Sequence, residues 1–401
     1  MKQSAFLLFG LCFAMPLTSQ TTQQISTGTG YQKQSYANLS AGTEKQVNNT
    51  DWDIAFSVNG EEAGIFFNES AGTSMGVAQP QLDVFFAVTD DFNEQPNPEI
   101  LGDFQLYNSE KSWKYGAFNE IRDTSVAIDY GWGVYDEQTG QINGFALYVI
   151  KLRNDQYLKF KVESLIGGIY TFRYANLDGS NEVTKTINKA DHAGKTLAYF
   201  SFGTGNTVDV EPETGGFDLL YCRYYTPFLV PGTTDYLPVN VTGVLSGPGV
   251  QVAKADGIDP VTVSYTTYQD SLRSELNTIG FEWKILSGFS FVLDQDLVFF
   301  LKSADSRVWK IRFIAFGGSS TGNTTIEKTD LGIISAVSDP TAGGIKALMY
   351  PNPAQDRLSV ALDIPAGLDK QAQMTVTDMM GRVVTQQQVT LNDGFQVFEL
   401  A

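Results

Sequence analysis

The chain has 401 residues, 45 Asp and Glu against 27 Lys and Arg, a formal net charge of -18 and a single histidine. So large an excess of acid leaves no cationic stripe for a phosphate backbone, which excludes nucleic-acid binding by charge, and one histidine excludes His-paired zinc sites and multi-histidine catalysis. With 12% aromatic and only 18% charged residues the composition is that of a folded protein, long enough for two or three domains.

Residues 1–20 read as a secretory signal peptide: Lys2 is followed by an apolar run from Ala5 to Met15, too short to span a bilayer. Leu11 before Cys12 argues against lipid attachment, which wants a small residue there. Once the signal is removed Cys222 is the sole cysteine, so no intramolecular disulfide forms and burial must hold the fold together. Cys222 lies in the strand-like run Phe217–Tyr225 and reads as a buried small hydrophobe. No later stretch reaches the length of apolar sequence that a transmembrane helix needs.

Residues 28–195 and 196–336 are expected to form two related β-rich modules by internal duplication, making the fold mainly β. Tyr148–Leu165 aligns without gaps to Phe299–Phe316, placing Lys151 with Lys302, Lys159 with Lys310 and Lys161 with Arg312. Both runs then enter a double glycine, Gly167-Gly168 and Gly317-Gly318. Upstream, Asp51–Phe56 matches Gly216–Tyr221, so that Asp53 recurs as Asp218, and Trp113-Lys114 is matched to Trp283-Lys284. Alternating apolar and basic residues on either side of Asn154-Asp155 and Asp305-Ser306 predict hairpins. Only Tyr268–Asn277 reads as helix, with Leu272 and Leu276 one turn apart.

These modules resemble the HmuY-like family of secreted or surface-anchored bacterial haem-binding proteins. The resemblance rests on Trp52–Phe56, on Phe217–Tyr221 with Arg223-Tyr224, on Tyr236–Leu245, and on the hairpins with Asp/Gly turns and lysines. It implies a haem ligand held by an axial pair of His or Met. The residues available for that role are Met75, in Ala71–Gly76, and His192, in Lys189–Gly194. It also implies haem or a haem-carrying protein as a partner. The bland readings are a loop methionine and a solvated loop histidine.

Other constellations fall short. Gly317–Thr324 has the glycine spacing of a phosphate loop but carries Asn323 where the lysine belongs, and it joins two strands. Asn176–Glu182 and Ala255–Asp259 lack EF-hand spacing and read as turns. No serine lies in a Gly-x-Ser-x-Gly elbow, so no catalysis is expected, although paired carboxylates leave a hydrolase open.

The end of the chain differs in character. Residues 337–345 are a small, turn-rich linker, and 346–401 show period-two apolar strands with turns at Gly381 and Asp393-Gly394, the pattern of a small β-sandwich. Tyr350-Pro-Asn-Pro353 and the Asp378–Arg382 strand-turn resemble the type A C-terminal sorting domain of the type IX secretion system. Such domains continue into a final hairpin and a basic end, so this one is expected to be incomplete. The resemblance implies the type IX secretion machinery as a partner, with the protein secreted or attached to the outer surface. The resulting reading is a surface ligand-binding protein that captures haem. Its alternative is an interaction or structural protein that keeps the fold without haem.

Overall fold

The computed structural model describes residues 20–70, 73–74, 77–78, 81–87, 89–288, 290–333, 346–350, 358–364, 371–377, 383–392 and 394–400. Residues 1–19, where a signal peptide is expected, Met75, the expected linker 337–345, Pro351–Pro353 and Asp378–Arg382 lie outside the described residues. The chain divides into two units, Met1–Ile333 and Ile334–Ala401.

The first unit is mainly β and antiparallel, as the alternating runs predict. One five-strand path runs Asp83–Phe86, Leu147–Lys151, Tyr157–Ile166, Ile169–Asn176, Val183–Asn188, within an eight-stranded sheet. A second path runs Gln251–Ala255, Val298–Lys302, Arg307–Phe316, Asn323–Ile333, Gln20–Ser26. Each is accompanied by a four-stranded sheet. One is ordered Asn206–Val208, Leu197–Ser201, Ile54–Ser57, Ile65–Phe67. The other is ordered Thr43–Asn48, Lys33–Asn38, Leu219–Leu229, Tyr236–Ser246. We call the sheets of residues 54–208 the first lobe and the remainder the second.

The second lobe is closed by the start of the chain. Gln20–Ser26 forms the outer strand beside Asn323–Ile333, and Lys33–Asn38 pairs with Leu219–Leu229. Ile25, Ala37 and Leu39 are fully buried there with Leu219, Phe299 and Ile326. A buried aliphatic side chain stabilises by about 1.5–3 kcal/mol, so these residues anchor the N-terminal strands. Lys328, buried, donates to Gln23 Oε1 at 2.8 Å and to the Leu39 carbonyl, tying both strands to the sheet. Thr27 also donates through its N–H to the Gly322 carbonyl at 3.0 Å. Gly322 has φ 69°, and a Cβ there would sit 2.1 Å from the Gly28 carbonyl. The glycine of the phosphate-loop near miss therefore lets the N-terminal turn pack closely.

The lobes share local detail. The hairpin turns place Asp155 at φ 63° and Ser306 at φ 68°. Leu152 N–H donates to Gln156 at 2.7 Å, and Ser303 N–H donates to Arg307 at 2.8 Å. Each following strand carries a register shift, at Val162/Ser164 and at Phe313/Ala315. Asp53 Oδ2 accepts from Phe202 N–H and Asp218 Oδ2 from Leu39 N–H, both at 2.7 Å.

The helix expected at 268–277 is corrected, and the setting of Trp283 is shared by Trp132 rather than by Trp113. Trp132 and Trp283 are buried and immediately precede the hairpins Gly133–Asp136/Gln141–Gly144 and Lys284–Ser287/Ser290–Leu293, whereas Trp113 is half-buried and donates to the Ser246 carbonyl at 2.9 Å. Residues 268–277 are not an α-helix. Arg273 exchanges backbone hydrogen bonds of 2.8 and 2.9 Å with Val252, and this non-local bridge replaces the helical ladder, leaving short 3₁₀ turns. Tyr268 and Leu272 instead pack on Phe300 and its neighbours.

In the second unit, Lys346–Tyr350, Leu358–Ile364 and Gly394–Leu400 form one sheet, and Gln371–Thr377 pairs with Val383–Thr390. Ile364, Val389 and Leu391 are its buried apolar centre.

Candidate functional site

Period-two alternation builds a third apolar cluster where the two lobes meet. On Leu219–Leu229, Leu219 and Tyr221 face the second-lobe core, while Leu220, Cys222 and Tyr224 face this cluster. On Leu197–Ser201, Ala198 and Phe200 face the first-lobe core, while Leu197 and Tyr199 face it. Phe66 joins from the first lobe, Trp52 from the segment leading into its strand Ile54–Ser57, and Tyr36 from the second lobe.

A cavity of about 70 Å³ opens in this cluster, lined by Trp52, Trp113, Tyr199, Cys222, Tyr224 and Glu69 among others. Trp52 and Tyr199 pack edge to face with centroids 4.9 Å apart. Tyr36 and Tyr199 join their hydroxyls at 3.3 Å, and the Tyr199 hydroxyl donates to Glu211 at 3.0 Å. Glu69, only 6% exposed, accepts from Asn108 N–H at 2.7 Å and from Tyr225 N–H at 3.2 Å, so its carboxyl is pinned between the lobes. Burial outweighs those two donors and pushes Glu69 up to about 8. Burial likewise raises the Cys222 thiol, making it a slow nucleophile at neutral pH.

Three polar atoms at this cavity are buried without a hydrogen-bond partner among the described residues: Trp52 Nε1, Glu110 Oε2 and the Tyr224 hydroxyl. Buried polar groups are nearly always satisfied, so a cluster of exceptions at one cavity calls for a ligand or water. Glu110 and Tyr224 also line a neighbouring groove of about 390 Å³ under the hairpin Leu219–Leu229/Tyr236–Ser246, walled by Pro227, Phe228 and Tyr236.

His192 lies elsewhere, half-buried on the 3₁₀ turn Lys189–His192, in a polar hollow with Lys195, Asp209, Glu211 and Glu213. Burial, partly opposed by Asp191, lowers its pKa from the ordinary imidazole value. Met75 lies outside the described residues, so the two candidate haem ligands are not brought together by any described contact. The calcium-like turns use their carboxylates locally: Asp178 accepts from Ser180, and Asp259 from Val261 and Thr262. Among the described residues no group of three or more His, Cys, Asp or Glu is placed to hold a metal ion.

Sequence reasoning passed over Glu69 and Glu110 and took Trp52 and Tyr224 only as markers of the family resemblance. A signal was present in Ile65-Phe-Phe-Asn-Glu-Ser70, where an acid directly follows a buried strand.

Residues 348–399 match the family described as the secretion system C-terminal sorting domain. The protein is therefore exported by type IX secretion and is secreted or attached to the cell surface. The match contains both motifs that the tail resemblance rests on. No curated protein and no solved structure matches the chain, and the HmuY-like resemblance gains no support. Among the described residues no helix is long and apolar enough to cross a membrane.

Proposed function

We propose that this protein is an exported, non-enzymatic binding protein that seats a small chemical group in the aromatic cavity between its lobes. The observation that carries this reading is a cavity walled partly by aromatic rings whose lining residues Trp52, Glu110 and Tyr224 each hold a buried polar atom, Nε1, Oε2 and the hydroxyl, without a partner among the described residues. We read the two lobes as copies of one duplicated unit whose meeting faces make the site. The shared strand order and the paired Asp53 and Asp218 bonds support that reading.

Haem is not the ligand we propose. About 70 Å³ suits the tip of a molecule rather than a porphyrin, and among the described residues neither the cavity nor the neighbouring groove is lined by a His or Met that could serve as an axial ligand. The test follows tryptophan emission as the full chain is titrated with neutral sugars, amino acids and haem, in the native protein and in Trp52→Phe. The expected result is an emission change with a small solute that weakens in the variant. A stoichiometric Soret band with haem and an inert panel would overturn the reading.

A further inference from the structure

The unpartnered atoms at the cavity are of two kinds. Trp52 Nε1 is a donor only, Glu110 Oε2 is an acceptor when ionised, and the Tyr224 hydroxyl serves as either. A group that both donates and accepts within a few ångströms satisfies this set, and vicinal hydroxyls do so. A bare anion or cation does not, since it leaves one kind unfilled. The wall mixes aromatic rings, Tyr36, Phe66, Trp113 and Tyr199 among them, with polar side chains such as Asn68, Asn108 and Arg223, which suits a saturated ring with an apolar C–H face and polar hydroxyl edges.

Size adds a second constraint. The cavity accepts one ring edge, yet it shares Glu110 and Tyr224 with the larger groove beneath the hairpin Leu219–Leu229/Tyr236–Ser246. The groove is walled by Pro227, Phe228 and Tyr236. This hairpin has 11 residues in each strand, whereas the topologically equivalent pair in the first lobe, Ile54–Ser57 and Ile65–Phe67, has 4 and 3. The extension belongs to one lobe, and it carries exposed Phe228 (47%) and Tyr236 (62%) beside the mouth of the site. A fold built only for stability gains nothing from holding such side chains in water.

Resting on the binding function proposed above, we infer that the site reads the end of a neutral glycan chain. The terminal ring enters the cavity against Trp52, Glu110 and Tyr224, and the following rings lie in the groove along Phe228 and Tyr236. The charged side chains of the wall are two carboxyls, Glu69 and Glu110, against one guanidinium, Arg223, so a terminus bringing a further carboxylate meets more acid than base, and uronic and sialic termini bind less well than neutral ones.

The experiment measures binding of the full chain to immobilised and soluble oligosaccharides with neutral or acidic termini, and to the matching free monosaccharides. Neutral-ended oligosaccharides bind, and their monosaccharides bind more weakly. Losing one buried hydrogen bond costs about 1.4 kcal/mol, so Trp52→Phe and Glu110→Ala each weaken both classes about tenfold. Phe228→Ser weakens oligosaccharides about tenfold and monosaccharides much less. If amino acids or acidic termini occupy the cavity and neutral glycans do not, the glycan assignment falls while the binding site stands. If no solute perturbs Trp52 in the emission titration, both fall. Equal binding of mono- and oligosaccharides overturns the role given to the groove.

Discussion

Asp218 accepts a hydrogen bond from the backbone N–H of Leu39 at 2.7 Å, across 179 residues of chain. Its other carboxylate oxygen accepts from the Ser303 hydroxyl at 2.5 Å, so one buried acid joins the N-terminal strands, the second-lobe centre and a hairpin turn. Asp53 makes the same backbone bond to Phe202 but takes Arg153 as its second partner at 2.5 Å. The difference decides the cost of losing each. Asp218→Ala leaves neutral donors unpaired and is expected to lose about 2–3 kcal/mol. Asp53→Ala strands a largely buried guanidinium and is expected to lose about 3–5 kcal/mol. Denaturant unfolding of the two variants measures the order.

Removing residues 20–48 takes away an outer strand of one second-lobe sheet and two strands of the other. The edges of Asn323–Ile333 and Leu219–Leu229 are then bare, and the truncated protein is expected to aggregate. Placing the same residues after Ile333 by circular permutation restores the native far-ultraviolet dichroism and a monodisperse elution profile. A truncated chain that elutes as native would contradict the closure.

Glu69 gives the site a pH signature. Its folded pKa, near 8, lies above its unfolded value, so the native state binds the extra proton between about pH 4.5 and 8. Stability from this group is complete below about pH 4.5 and is lost as pH rises through 8. Glu69→Gln removes the titration: the variant gains about 1–3 kcal/mol relative to the native chain on going from pH 5 to pH 9. Thermal unfolding across that range reads it.

Lys284 behaves in the opposite sense. Only 7% exposed, it donates to the Thr242 carbonyl at 2.5 Å and lies 4.1 Å from the Trp283 ring centroid. Burial pulls its pKa down to about 7. The unfolded state then holds more protons between about pH 7 and 10.5, so stability rises with pH across that window. Lys284→Met is expected to stabilise by about 1–3 kcal/mol at pH 6, with the gain shrinking towards pH 10. Parallel melts at the two pH values check this.

Alternation and turn chemistry made the hairpins at Leu147–Ile166 and Val298–Phe316 legible, and both Asp53 and Asp218, singled out in the sequence, are buried and accept a backbone N–H. The closure by Gln20–Asn48 was not legible. Pairing Gln20 with Thr329 has no local periodicity to announce it. The helix expected at 268–277 failed because the bridge from Arg273 to Val252 overrode local propensity. Trp113 was matched to Trp283 on the identity of its neighbour Lys114, while the burial that marks Trp132 is a tertiary property. The site was the least legible part. Glu69, Glu110 and Tyr224 come from separate segments and acquire meaning only where the lobes meet.

Cys222 is the sole cysteine besides Cys12 and lines the cavity, so the slow modification of its buried thiol reports on occupancy. The decisive measurement is the rate at which a small neutral thiol reagent modifies Cys222 in the exported chain, with and without a saturating neutral oligosaccharide. The account predicts that the sugar slows the reaction at least tenfold in the native protein and much less in Trp52→Phe. An unchanged rate despite proven sugar binding would place the ligand elsewhere and contradict the cavity as the binding site.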